Sequence, residues 1–272
     1  MSSIVLEPTP IRVRSAARWR PRKTWLRAVS PLVIVLAWQL ASVSGVLPER
    51  LLASPVTIVR TTGELLRDGT LQEAITVSLG RAATGFVIGA VLGIGLAILA
   101  GSSTVGEYVV DPPMQMLRTV PFYGLIPLLI LWFGIGELPK VVLVAFGAAI
   151  PLYLNTFAGI RGVDAKLAEL AQVQQLGRLA LIGHIVLPGA LPQTLVGLRQ
   201  SLGVAWLALI VAEQVNADAG LGFLINDARE FLRTDVIVVG LLVYCVLGLL
   251  TDAFVRLIER KALAWRRGFL GQ

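Results

Sequence analysis

Residues 164–192 read DAKLAELAQVQQLGRLALIGHIVLPGALP and lie between long apolar stretches of the chain. We call them the linking segment. Leu167, Leu170 and Ala171 recur with helical spacing, which predicts a short amphipathic helix with Glu169 on another face. A turn at Gly177 and a second helical piece stopped at Pro188 complete a compact knob. A plain interfacial loop fits the same residues equally well.

The chain around this segment is too apolar for a soluble domain. Of its 272 residues, 56% are hydrophobic and only 15% are charged, whereas a soluble domain carries about 25% charged residues. Its high hydrophobicity also excludes a disordered chain. The composition therefore indicates a membrane protein. The single cysteine, Cys245, excludes an intrachain disulfide.

Seven uncharged runs are long or apolar enough to be considered as membrane spans, and we expect six of them to cross. The run 179–198 is excluded because Gly183, Pro188 and Pro192 make it a poor membrane helix. The predicted spans are residues 28–48, 82–106, 119–136, 141–160, 195–212 and 236–255.

The distribution of basic residues sets the predicted orientation. With six spans, the cytoplasmic segments hold 17 Lys and Arg residues and the outer segments hold 6. Both termini are then cytoplasmic. The net charge of +7 comes largely from the two ends of the chain, which indicates topology and not nucleic-acid binding. A cleaved signal peptide is the alternative to a retained first helix.

The predicted layout has five parts. They are a basic cytoplasmic tail (1–27), a first membrane helix (28–48), an outer segment (49–80), a five-helix core (81–255) that contains a cytoplasmic loop (161–192), and a basic cytoplasmic tail (256–272). In the outer segment, Ser54-Pro55 predicts the start of a short helix. In the core, Gly85, Gly89 and Gly93 recur every four residues, which favours close helix packing over pore lining.

Glu169-x-Ala171 followed by Ile185-x-Leu187-Pro188 resembles the EAA loop in membrane subunits of binding-protein-dependent ABC importers. The family pattern is Glu-Ala-Ala, three residues, Gly, nine residues and Ile-x-Leu-Pro, and the spacing in this chain fits it. Two positions depart from the pattern. Leu170 replaces the first alanine, and Gln175 stands where the glycine belongs, so we expect Gly177 to supply the turn.

The resemblance extends from about residue 48 to 267 and narrows to the sulfonate, taurine and nitrate branch of these permeases. The stretches that carry it are residues 116–121, 126–128, 132–135, 155–161, 187–192, 211–213 and 228–235. The last of these is similar to aliphatic sulfonate permeases in particular. Taurine, nitrate or another small solute remains the alternative, as does a secondary transporter.

This resemblance implies an all-α membrane protein with the type I importer permease fold. It also implies a cytoplasmic ATP-binding subunit, a solute-binding protein, a second copy of this chain and a bacterial cell membrane. The chain lacks a phosphate-binding Gly-x-x-x-x-Gly-Lys-Ser/Thr motif, so we expect a transporter subunit and not an enzyme. The residues implied in coupling to the ATPase are Glu169, Ala171, Gly177, Ile185, Leu187 and Pro188.

A transported anion needs hydrogen-bond donors or positive charge along its path. The candidate path residues are Arg118, Asn155, Arg199, Gln200, Glu213 and Gln214. For Arg118 and Arg199, which lie near predicted cytoplasmic edges, membrane anchoring is the alternative, and Glu213 suits a structural bond or a gate better. Arg229 and Glu230 lie in an outer loop where a binding protein would dock, with a local ion pair as the alternative. One histidine and one cysteine leave no basis for a metal site or a cofactor.

Overall fold

The computed structural model describes residues 26–264, and throughout this range the chain is helical without a strand. This confirms the predicted all-α class. The predicted basic tail 1–27 lies almost wholly outside the described residues, whereas residues 256–262 of the other predicted tail continue the last helix. The helices are α1 (Leu26–Val43), α2 (Pro55–Arg67), α3 (Thr70–Gly101), α4 (Thr104–Leu117), α5 (Phe122–Phe133), α6 (Glu137–Arg161), α7 (Ala165–Val173), α8 (Arg178–Leu181), α9 (Leu187–Asn216), α10 (Leu221–Glu230) and α11 (Thr234–Ala262).

Membrane-spanning helices account for most of the chain. Within the described residues, α3, α6, the helix Ile182–Val215 and α11 are each long and apolar enough to cross a membrane. Helices α4 and α5 form a further span if the two halves, bent by 105°, are taken together. Helix α1 is shorter, with an apolar part at Val29–Val43. These six helical units follow the order of the six predicted spans, but by length and composition only four of them, or five with the bent pair counted, qualify as spans.

The third of these units differs from the prediction. The uncharged run 119–136 predicts one straight span, but α5 covers only Phe122–Phe133 and continues the path of α4 after a sharp bend. Helix α4 was not predicted because Glu107 and Asp111 interrupt its apolar residues. Arg161 pairs with Glu107 over 3.1 Å, and the hydroxyl of Tyr153 donates to Asp111 over 3.0 Å. These contacts hold α4 against α6.

The outer segment contains more helix than predicted. Ser54 caps α2 as expected, because its side-chain oxygen accepts from the backbone N–H of Thr57. The second span begins at Thr70, well inside the predicted outer segment. Helix α2 packs on α11 and α3, and Thr61 donates to Asp235 at the start of α11 over 2.8 Å.

The end of the linking segment also differs from the prediction. The chain continues as helix through Pro188 and Pro192 and does not stop at Pro188. A π-helical turn, Ile182–Val186, precedes Pro188, and the backbone N–H of Leu187 donates to the carbonyl of Ile182. This wider turn is a common way to fit an insertion or a proline into a helix. The run 179–198 is therefore the beginning of the fifth span.

The centre of the fold is the seam between α3 and α6, which run in parallel. A Cβ added to Gly85 would lie 2.6 Å from Val144 Cβ, and one added to Gly93 would lie 2.5 Å from the carbonyl oxygen of Ala149. One added to Gly89 would collide with the carbonyl of Ala145. The predicted close packing is confirmed. Helix α9 packs antiparallel against α6 and completes a three-helix core.

Candidate functional site

The linking segment exposes apolar side chains and a carboxylate at one end of the core. Leu167, Leu170 and Val173 of α7 are exposed, while Ala171 is buried. Glu169 is also exposed. The remaining predicted coupling residues have mixed exposure: Gly177, Leu187 and Pro188 are exposed, and Ile185 is half-buried. An exposed apolar patch with a charged neighbour is typical of an interaction surface.

Gln175 turns the chain at the end of α7, with φ of 55°. The backbone N–H of Leu176 donates to the carbonyl of Ala171 over 2.9 Å, which is the long bond of a Schellman cap. Gly177 does not have a positive φ, so the prediction that it supplies the turn is wrong. The left-handed conformation costs an L-residue about 1–2 kcal/mol and favours glycine. That cost explains why the importer pattern has glycine at this position.

Three amide side chains meet beside the seam between α6 and α9. Asn155 donates to Gln200 Oε1 over 2.9 Å and to the carbonyl of Pro151 over 2.8 Å. Gln193 donates to Asn155 Oδ1 over 2.9 Å. We call Asn155, Gln193 and Gln200 the amide triad. Asn155 is half-buried and the two glutamines are exposed. The structure therefore joins two predicted path residues, Asn155 and Gln200, directly and adds Gln193, which was not predicted.

Arg118 lies at the break between α4 and α5 and is exposed. Met114 packs with Ile150, and the ring of Phe122 lies 6.0 Å from that of Phe146. The break is therefore level with the middle of α6, whereas the sequence predicts Arg118 near a cytoplasmic edge. Within the described chain, Arg118 makes no ion pair under 4 Å.

Arg199 has two carboxylate partners on α11. Its side chain pairs with Asp252 over 3.1 Å and with Glu259 over 2.9 Å. The guanidinium therefore ties α9 to α11. Gln214, near the other end of α9, is exposed.

Glu213 belongs to a group of charged and polar side chains at the opposite end of α6 from the linking segment. We call Ser78, Arg81, Glu137, Lys140, Glu213 and Tyr244 the charged cluster. Glu213 is fully buried and accepts from Arg81 over 2.8 Å. Ser78 and Tyr244 also donate to it, over 2.8 and 3.0 Å.

Arg81 is the centre of the charged cluster. Its Nε and Nη2 donate to the carboxylate of Glu137 over 2.5 and 2.6 Å, and its Nη1 donates to Glu213 and to the carbonyl of Ala219. Lys140 adds a second cation to Glu137 over 3.0 Å. The backbone N–H groups of Leu221 and Gly222 donate to Ser78 and Glu213, so the cluster links α3, α6, α9, α10 and α11.

The predicted docking residues Arg229 and Glu230 belong to the last turn of α10 and not to a loop, and they lie at the same end of the core as the charged cluster. Arg229 donates to Asn226 Oδ1 over 2.7 Å, and Asn226 donates to Glu230 over 3.4 Å. Phe231 and Leu232 beside them are 70% and 83% exposed. Leu232 has φ of 56°, a conformation that a leucine seldom adopts.

Sequence reasoning missed Arg81, Ser78, Tyr244 and Gln193. Arg81 stood at a predicted span edge, and only its partner more than a hundred residues away shows its role. A signal was available for Gln193, because it precedes Gln200 by seven residues and so shares its helix face. His184 contacts the carbonyl of Ala180 within its own helix, at 3.1 Å. Among the residues described, no cluster could hold a metal ion.

Comparison with known proteins places these features in context. A family profile described as "Binding-protein-dependent transport system inner membrane component" matches residues 89–263. A putative aliphatic sulfonates transport permease protein of Bacillus subtilis is 47% identical over 253 residues, covering 93% of this chain and 92% of that protein. Its namesake in Escherichia coli is 46% identical, covering 92% of this chain and 96% of that protein.

More distant proteins share the same architecture. A taurine transport system permease protein of Escherichia coli is 31% identical, covering 91% of this chain and 92% of that protein. Among solved structures, an amino acid ABC transporter with histidines superposes with a TM-score of 0.61 at 17% identity. It covers 74% of this chain and 97% of that one. The structural match shows a shared fold.

Proposed function

The chain belongs to the family of binding-protein-dependent transport system inner membrane components, the permease subunits of ABC importers, and from this membership we propose that its solute is an aliphatic sulfonate. It is a multi-pass membrane protein that moves a small anion and leaves ATP hydrolysis to a separate subunit. The observation that carries the sulfonate assignment is the 46–47% identity, over more than nine-tenths of the chain, to permeases with that name.

The linking segment is the proposed contact with the ATPase. Glu169 offers a carboxylate, and the exposed leucines of α7 offer an apolar surface. Because α6 ends where the segment begins, a movement of the docked ATPase reaches the core directly. The core then alternates between inward- and outward-facing states as a rigid body.

The proposed orientation places the linking segment and both termini in the cytoplasm. The charged cluster and residues 229–232 then face the outside, where the solute-binding protein arrives. Arg229 and Glu230 supply polar contacts for docking, and the exposed Phe231 and Leu232 supply apolar area. Two copies of the chain enclose one path, in an assembly with two ATPases.

The proposed path follows the exposed polar residues of the core. Arg118, Asn155, Gln200 and Gln214 all lie at least partly open, and ionisable or polar groups at membrane depth normally face water or protein. Arg199 and Glu213 fit a different role in this proposal. The former is paired with two carboxylates and the latter is fully buried.

Uptake into vesicles tests the solute. The chain is reconstituted with its ATPase and binding protein, and ATP-dependent accumulation of radiolabelled butanesulfonate, taurine and nitrate is compared. We expect butanesulfonate to accumulate fastest. The taurine permease relative makes taurine, itself a sulfonate, the second candidate. Faster nitrate uptake, or uptake without ATP, would contradict the proposal.

A further inference from the structure

We propose that the amide triad is a weak binding station for the sulfonate group on the solute path, and that Gln193 is one of its contact residues. This inference rests on the proposed function, since it names how the same path recognises its anion. It is carried by the orientation of three amides, by their unused N–H groups and by their place on the core.

A backbone carbonyl fixes the direction of every bond in the triad. The carbonyl of Pro151 can only accept, so the group of Asn155 that lies 2.8 Å from it must be the NH₂. The same NH₂ then donates to Gln200, and Asn155 Oδ1 accepts from Gln193. No other arrangement of the Asn155 amide satisfies all three contacts.

This orientation leaves N–H groups available for a ligand. Asn155 uses both of its hydrogens, whereas Gln200 only accepts and Gln193 uses one hydrogen. Within the described residues, three N–H groups of the two glutamines therefore have no partner. Both glutamines are exposed, so a ligand can reach these donors. A sulfonate has three acceptor oxygens, and such donors match them.

The two glutamines of the triad lie on one side of α9, which carries the exposed Leu207 and then Gln214 further along. Gln193, Gln200 and Gln214 are separated by multiples of seven residues, which places them on one side of the helix. All three are exposed. Free amide donors facing hydrocarbon carry a large desolvation cost. This face is therefore suited to a water-filled path or a second copy, and not to lipid.

Arg118 places a positive charge at the break that leads into α5, and α5 meets α9 at Gly147 of α6. An added Cβ on Gly147 would lie 3.3 Å from both Phe122 of α5 and Val204 of α9. Arg118 lies four residues before Phe122, and Gln200 lies four residues, about one helical turn, before Val204. The break in the α4–α5 span and the triad thus flank one contact point.

Neutral donors suit a station that must release its ligand. Amide N–H groups bind an anion more weakly than a paired guanidinium does. Conduction requires binding that is strong enough for entry and weak enough for exit. The triad meets the second condition because its members are uncharged.

Opposite charges at one position separate a ligand contact from a packing role. We compare Gln200→Glu with Gln200→Lys in the complete transporter, using ATP-dependent uptake of butanesulfonate in vesicles. Binding of butanesulfonate to the same transporter without binding protein is followed by saturation-transfer NMR. The glutamate should lower uptake about tenfold or more and abolish the NMR signal. The lysine should strengthen binding about tenfold and slow uptake, because release becomes limiting.

Two further variants complete the test. Gln193→Glu should reproduce the loss with a smaller fold-change, since Gln193 offers fewer free hydrogens. Gln72→Glu, an exposed change on α3 near the opposite end of the core, should leave uptake and the NMR signal unchanged. Loss of the butanesulfonate NMR signal with lysine as well as with glutamate at position 200 would overturn the inference and indicate packing. A wild-type transporter that carries no sulfonate would instead overturn the proposed function.

Discussion

The two ends of α6 differ in the burial of the charged residues beside them. At one end, Arg81 and Glu213 are 6% and 0% exposed and every polar atom of the pair has a partner in the same chain. At the other end, Glu169 and the leucines of α7 are exposed. The first end is satisfied within one chain, while the second is the proposed contact with another protein. We infer that stability is concentrated at the charged cluster and that communication is concentrated at the linking segment.

Breaking the charged cluster should have the largest effect on folding. Arg81→Met leaves Glu213 buried without its cation, and removing one member of a buried pair costs about 3–5 kcal/mol. The unfolding free energy in detergent measures this loss. Arg60→Met is the matched control, because the Arg60–Glu64 pair is 3.6 Å apart with both side chains exposed. It should cost less than about 1 kcal/mol.

A double variant tests whether that loss is electrostatic. Arg81→Met combined with Glu213→Gln removes the uncompensated charge and should recover part of the stability. A double variant as unstable as the sum of the two single variants would show that the cluster does not act as a unit.

Widening the α3–α6 seam should have the next largest effect. Gly89→Ala places a Cβ against the carbonyl of Ala145, and overpacking of this kind costs about 1–3 kcal/mol. Gly95→Ala in the same helix has open space around its added Cβ and should be neutral or slightly stabilising. Thermal unfolding of both variants gives the comparison, and equal midpoints would refute the role of the seam.

Relieving the turn at Gln175 should give a smaller effect of opposite sign. Gln175→Gly removes the cost of a left-handed residue and should stabilise the cap of α7 by about 1 kcal/mol. Slower hydrogen exchange of the Leu176 amide, which donates to Ala171, would report it. Gln174→Gly lacks this benefit, since Gln174 does not have a positive φ, and should speed exchange. Faster exchange in both variants would contradict the assigned cap.

The smallest effect on folding is expected at Glu169. An exposed substitution usually changes stability by less than about 0.5 kcal/mol, so Glu169→Lys should unfold like the wild type. We nevertheless expect it to abolish solute uptake, because its role is proposed to lie in the contact with the ATPase. Co-purification with the ATPase and uptake in vesicles measure that role. Glu64→Lys, the same charge reversal at an exposed carboxylate outside the linking segment, is the control, and normal uptake by Glu169→Lys would refute the docking role.

The sequence was sufficient for features that depend on neighbouring residues. Hydrophobic length predicted the order of the spans, glycine spacing predicted the α3–α6 seam, and Ser54 predicted the start of α2. Each of these rests on a local rule of helix length, packing or capping.

Features that depend on distant contacts could not be predicted. Helix α4 was not predicted, because the sequence alone does not show that the partners of its charged residues are on α6. Arg81 and Glu213 gave no sign of forming a pair, since 132 residues separate them. The turn found at Gln175 was predicted at Gly177, because glycine was expected to be the residue that turns the chain. The fold imposes the positive φ on glutamine instead.

The glycine seam has a mechanical consequence. Backbone lies directly against backbone between α3 and α6, so few side chains there can change rotamer and absorb a displacement. The two helices should therefore move together as one rigid body. Helix α6 alone is about 38 Å long. A tilt of α6 about Arg161 then displaces Glu137 laterally. The size of that displacement depends on the tilt angle and the helix length, and not on any local rearrangement. Under the proposed function, a small movement of the ATPase at one end therefore becomes a larger displacement of the core at the other end.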